Sequence, residues 1–165
     1  MQNLQNNFKK FLTALPVLIS RFGFLPPNFS PVGSFGFFSG NFLLFALVTI
    51  GFDYIYGGFY KGVIFTYIGF LAYFILGKLA KNSVKLQFTL LPIASFLFFL
   101  ISNFGVWYFW YPVQTFDTLT LCYTLALPFY KNTFLSDLVF GWGYLGVREV
   151  LKKFLVTIQF QKIKK

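Results

Sequence analysis

Few side chains in this sequence could do chemistry, and each sits at the end of an apolar run. Asp53 closes "VTIGFDYIYGG", and the nearest basic residue is Lys61. An ionisable group there either marks a site or pathway, or is a helix-end carboxylate paired with Lys61 or water. Asn103 repeats the arrangement in "LISNFGVW": an apolar run, then Asp or Asn, then an aromatic and a glycine. The repeat hints at an internal duplication. The Asn103 amide can contact a ligand or hydrogen-bond between helices. Trp107, Tyr108, Trp110 and Tyr111 follow closely. They read as an aromatic belt at a membrane interface or as a stacking wall for a flat ligand. Asp137, with Ser136 and Asn132, is placed at the start of the last apolar segment. A carboxylate there is either favoured by the helix dipole or part of a site.

The same inventory excludes much. The chain has four acidic residues, one cysteine and no histidine. No His/Cys cluster appears, and no nucleophile lies near a base. Gly57, Gly58 and Gly62 are not followed by Lys-Ser/Thr, so they make no phosphate cradle. The reading is a non-enzyme with no cofactor, no metal and no ATP site of its own. Cys122 reads as a packed thiol. The net charge is +10, but the basic residues sit at segment ends, so nucleic acid is not the expected partner.

The elements that must position these residues are membrane helices. The 165-residue chain is 57% hydrophobic and 11% charged, with 27 Phe. Water-soluble domains average about 25% charged residues. The expectation is an all-α polytopic membrane helix bundle in a bacterial cytoplasmic membrane, one domain over residues 1–165, with a basic tail from about 152. Apolar segments run over 8–25, 29–40, 41–56, 62–77, 86–109, 118–130 and 133–150, the last two parted by "YKN". The first, after Lys9 and Lys10, reads as an uncleaved span, since no small-x-small cleavage pattern follows.

Charge sets the expected orientation. Eleven of the fourteen basic residues fall at Lys9/Lys10, at Lys78–Lys85 and from Arg148 onward. The positive-inside rule puts all three places, and so both termini, in the cytoplasm. An even number of crossings then separates Lys10 from Lys78, so residues 31–55 must form two short crossings or a re-entrant hairpin. Two crossings separate Lys85 from Arg148, so residues 116–130 are expected to re-enter or lie at the interface. About six helices result, with a short or re-entrant second and third pair. The loops at 25–28, 56–61 and 109–117 face outward.

The stretch "LPPNFSPVGSFGFFSGNF" (25–42) fits that hairpin. Pro26 and Pro27 forbid helix before Asn28, and Pro31 suits a first helical turn. Asn28, between prolines, is expected in extended backbone on the outer side. Gly33, Gly36 and Gly40 offer a face without side chains for close helix approach. Reversal is expected at Ser39-Gly40-Asn41.

"PPNFSPVGSFGFFSG", "FDYIYGG", "SFLFFLISNFGVW", "YP" and "LALPFYKNTFLSDLVF" together resemble an uncharacterised family of small bacterial membrane proteins. That family is similar in turn to substrate-capture (S) components of energy-coupling factor transporters. Such components carry Pro-Asn-x-x-Pro-Val at the entry to a second helix, then a Gly-rich helix, then a helix ending in Ser-Asp or Ser-Asn. The resemblance covers about residues 25–145. It implies a six-helix bundle and a small-molecule pocket near the outer face, mapped here to Asn28, Phe29, Asp53, Asn103, Trp107, Tyr111 and Asp137. The partners it implies are the lipid bilayer, a transmembrane coupling subunit and its ATPases, and a small ligand. Two features depart from it: Ala-x-x-x-Ala on the first helix is replaced, with Leu18 following Ala14, and the third segment is short for a full span. Capture of a small nutrient is therefore one expectation. The other is a structural subunit of a membrane assembly without ligand.

Overall fold

The computed structural model describes residues 25–163, all helix, turn and loop with no strand among them. The first apolar segment up to residue 24, with Lys9, Lys10, Ala14, Leu18 and Arg21, lies outside the described residues, as do Lys164 and Lys165.

A short helix α1 (Val32–Phe38) follows Pro31 and stops at Ser39-Gly40. Gly40 takes a positive φ of 62°, a conformation other residues adopt at a cost. Asn41 then caps α2 (Phe42–Tyr56), its Oδ1 accepting the Leu44 N–H at 3.0 Å. The chain reverses at this break, as the sequence implies. Val32 and Asp53 line one cavity, while Phe38 and Gly40 line another that includes Lys78. Phe35 and Phe45 close the hairpin with ring centroids 5.9 Å apart.

Helices α3 (Val63–Ala80) and α4 (Val84–Trp110) form the antiparallel pair on which the hairpin rests. Ser83 caps α4 by accepting the Leu86 N–H. Phe70 stacks on Phe98 at 4.9 Å between the two helices. The α1 backbone comes close to α3 at Gly77, where a Cβ would overlap the Phe37 carbonyl. The buried core spans α1 to α4: Val32 and Phe37, Phe45, Phe70 and Tyr73, Leu91 and Ala94.

The last part of the chain differs from expectation. Residues 116–130 do not stand apart from 133–150. They begin one helix, α5 (Phe116–Asp137), which passes through a π-turn (Leu138–Trp142) into α6 (Gly143–Ile163). Lys131 stays on the exposed side and the Asn132 amide bonds outside its helix, so "YKN" interrupts the apolar pattern without breaking the backbone. One helical run from α5 into α6 takes the place of the separate short segment and last span read from the sequence. The π-turn lies against α1, with Gly141 close to the Ser34 hydroxyl.

Among the described residues two helices, α3 and α4, are long and apolar enough to cross a membrane. Helix α2 is apolar but has 15 residues, about 22 Å at the helical rise, against a hydrocarbon core of about 30 Å. Large apolar side chains stand exposed around the bundle, among them Leu43, Leu47, Leu79 and Val147.

Candidate functional site

The turn before α1 builds one wall of the site. The Phe29 N–H donates to the Pro26 carbonyl at 2.9 Å, closing a β-turn with Pro27 and Asn28 at its corners. Asn28 has φ 62°, so it is not extended as the sequence reading had it. The reason is turn chemistry: Pro27 suits the first corner, and a positive φ at the second is the type II arrangement, which asparagine tolerates. Helix α5 holds this turn in place. The Asn132 amide donates to the Pro27 carbonyl at 3.0 Å, and the Ser136 hydroxyl to the Ser30 carbonyl at 3.0 Å.

Facing the turn is a cavity of about 530 Å³. Asn28, Phe29 and Asp53 line it together, with Tyr60, Thr66 and Thr133 adding hydroxyls. Thr66, Phe70 and Tyr73 share one face of α3 at i, i+4 and i+7 and form its far wall. A neighbouring cavity of about 270 Å³ shares Asn28, Tyr60, Thr66, Phe98 and Thr133 and extends to Asn103. Of the seven residues singled out in the sequence, Asn28, Phe29 and Asp53 line one cavity and Asn103 lines its neighbour.

Their partners differ from those first considered. Asp53 Oδ2 accepts the Tyr67 hydroxyl at 3.0 Å. The Asn103 amide donates to Phe99 C=O of its own helix at 2.8 Å, so this contact lies within a helix and not between two. Trp107 and Tyr111 do not line either cavity. The Trp107 indole N–H donates to Thr118 Oγ1 at 3.0 Å and ties α4 to the start of α5. Tyr111 caps α4, and its carbonyl accepts from Gln114 at 2.8 Å. In the structure these two positions serve as a helix-to-helix tie and a cap. Nearby Tyr108 and Trp110 are exposed, as a belt requires.

Asp137 departs furthest from expectation. It ends α5 within the long helical run and is 0% exposed, so it is not a first-turn carboxylate. Its Oδ2 accepts the Tyr73 hydroxyl, and its Oδ1 accepts the Ser34 hydroxyl at 3.2 Å. Ser95, also fully buried, lies beside Asp137 and Tyr73, yet its hydroxyl meets no hydrogen-bond geometry among the described residues. Gly33 makes the cluster possible: a Cβ there would stand 2.6 Å from Asp137 Oδ1. Gly33 and Tyr73 line the cavity in front, so the carboxylate sits directly behind its wall. Tyr73, Ser34, Thr66 and Thr133 were not singled out from sequence. The signal was faint: polar atoms inside apolar runs, with Thr66 and Tyr73 at helical spacing.

The cavity offers a carboxylate, an amide and several hydroxyls among aromatic rings. Such a set holds a small molecule by hydrogen bonds and apolar contact. Among the described residues no three His, Cys, Asp or Glu side chains gather. Over the described residues, fold and site together define an all-helical chain with two membrane-length helices and a polar-lined cavity against a short helical hairpin. The chain belongs to DUF6580, a family of unknown function, which matches residues 2–158. No curated protein and no solved structure matches it.

Proposed function

We propose that this chain is a multi-pass membrane protein that captures a small nutrient from outside the cell, in the manner of transporter S components. Both termini are cytoplasmic in this reading, and a separate coupling subunit with ATPases supplies energy. The observation that carries it is the cavity at Asn28, Phe29 and Asp53, about 530 Å³ in volume. That size falls within the range of about 300–1,000 Å³ typical of small-molecule pockets. Aromatic rings and a few polar groups line it, as a vitamin-sized ligand needs. The Pro-Asn-x-x-Pro-Val stretch that resembles S components forms its wall.

A second reading, a structural subunit without ligand, draws on different observations. Asp53 already accepts from Tyr67, and the Asn103 amide donates within its own helix. Mass spectrometry of small molecules extracted from the purified protein separates the two. Capture predicts a compound enriched over an unrelated membrane protein prepared alike, and its loss in Asp53→Asn. An extract with no enriched compound supports the structural reading.

A further inference from the structure

The end of the bundle opposite Asp53 carries a second cavity, of about 410 Å³. We propose that it binds the phosphate headgroup of an anionic phospholipid.

Three cations line it: Lys78 and Lys81 from the end of α3, and Arg148 from α6. No acidic residue shares the lining. Among the described residues Lys78 and Lys81 form no ion pair, so their charge meets no compensating carboxylate there. Arg148 is partly balanced by Glu149 at 3.1 Å, which turns in sequence to Lys152 at 3.0 Å.

Gln87 organises the site. It is 3% exposed, although most glutamines lie at the surface. Its Oε1 accepts Arg148 Nη2 at 2.7 Å, and its Nε2 donates to the Lys81 carbonyl at 3.0 Å. One buried amide therefore fixes both the guanidinium and the backbone that carries the second lysine. An anion arriving there meets one guanidinium already held in position, so less ordering opposes binding than for three free side chains.

The remaining wall is aromatic. Phe38 and Tyr144 pack with ring centroids 4.9 Å apart, and the Arg148 guanidinium lies 5.9 Å over the Tyr144 ring. Phe74 lines the same space. Exposed Leu79 and Val147 lie next to the cations in sequence and give the same ends of α3 and α6 an apolar outer surface. Cations beside apolar surface suit a molecule with a phosphate head and acyl chains better than a free phosphate. Basic pockets between membrane helices bind lipid headgroups in this way. The inference requires that the chain be embedded in a membrane, but it does not require nutrient capture at the Asp53 cavity.

Native mass spectrometry of the full chain in detergent tests it, with equal amounts of dioleoyl phosphatidylglycerol and dioleoyl phosphatidylcholine added. Wild type should retain the anionic lipid at least ~5-fold over the zwitterionic one. Lys78→Gln/Lys81→Gln should bring that ratio close to one. Lys152→Gln/Lys153→Gln, which removes the same charge outside the pocket, should keep most of the preference. Both pocket lysines are exposed, so the folded protein should survive their replacement. Equal retention of the two lipids by wild type, or equal loss in both double variants, overturns the site. Displacement of the lipid by millimolar inorganic phosphate or glycerol 3-phosphate overturns the lipid assignment in favour of a soluble phosphate ester. Unchanged lipid retention with loss of a co-purifying protein in Lys78→Gln/Lys81→Gln overturns it in favour of an acidic protein face.

Discussion

Asp53 and Asp137 look alike in sequence and sit in opposite surroundings. Each borders an apolar stretch, and each accepts a phenol from α3, Tyr67 for one and Tyr73 for the other. Asp53 is half-buried and faces a cavity bounded by a turn and two loop glycines. Asp137 is sealed behind that cavity, between α1, α3 and the π-turn, with Ser34 as a second donor. The contrast shows how little a carboxylate's local sequence says about its role. What separates the two is how much backbone closes over each. At Asp137 that closure depends on Gly33, whose missing side chain lets the carboxylate and the phenol meet over α1.

The largest effect should follow from filling that gap. Gly33→Val overlaps both Asp137 and Tyr73, combining overpacking with loss of donors to a buried carboxylate, so it should cost ~3 kcal/mol or more. Thermal unfolding in detergent would show little folded protein surviving. An unchanged melting temperature would mean that the cluster is not closed.

A matched pair of tyrosine changes sharpens the contrast. Tyr73→Phe should destabilise by ~1–3 kcal/mol, since it strips a donor from a sealed carboxylate. Tyr67→Phe should cost less than ~1 kcal/mol, because water in the cavity can replace the lost donor at half-buried Asp53. Equal losses in the two unfolding curves would erase the distinction between the sites.

Asp53→Asn should shift stability by no more than ~1 kcal/mol while removing any co-purified ligand. Abolished folding would make Asp53 structural. Asn28→Gly should have the smallest effect on folding, within ~0.5 kcal/mol, because glycine accepts the positive φ freely. If the amide contacts ligand, that variant loses binding while keeping the turn. Retained ligand would limit Asn28 to a turn residue.

How much of this was legible depended on whether the signal was local. The break at Ser39-Gly40-Asn41 could be read because glycine and an N-cap asparagine act within a few residues. Asn28 and Asp53 do line one cavity, and their convergence was expected from charge parity, which assigns segment ends to a side without knowledge of their packing. The conformation of Asn28 was also local, but Pro-Pro-Asn was read as extended chain where turn chemistry puts the asparagine at a left-handed corner. Asp137 was misplaced because Lys131 and Asn132 resembled a boundary, and nothing in a polar triplet tells a helix end from a polar patch on a continuing helix. Tyr73 was one aromatic among many. Its partner lies 64 residues away, and only the packing of α1 against α3 and α5 brings the two together. Trp107 likewise joined the aromatic cluster in sequence, while its bond to Thr118 depends on how α4 meets α5.

The central claim is that the cavity at Asp53 opens outward while the Asp137 cluster behind it is closed. Single cysteines on a Cys122→Ala background test it, labelled in intact cells with a membrane-impermeant maleimide. Thr133→Cys places the probe in the cavity lining, and Ser95→Cys places it beside Asp137. The account predicts rapid labelling from outside at position 133, and labelling at position 95 only after denaturation. Labelling of position 95 as fast as position 133, or of position 133 only from the cytoplasmic side of inverted vesicles, would contradict it.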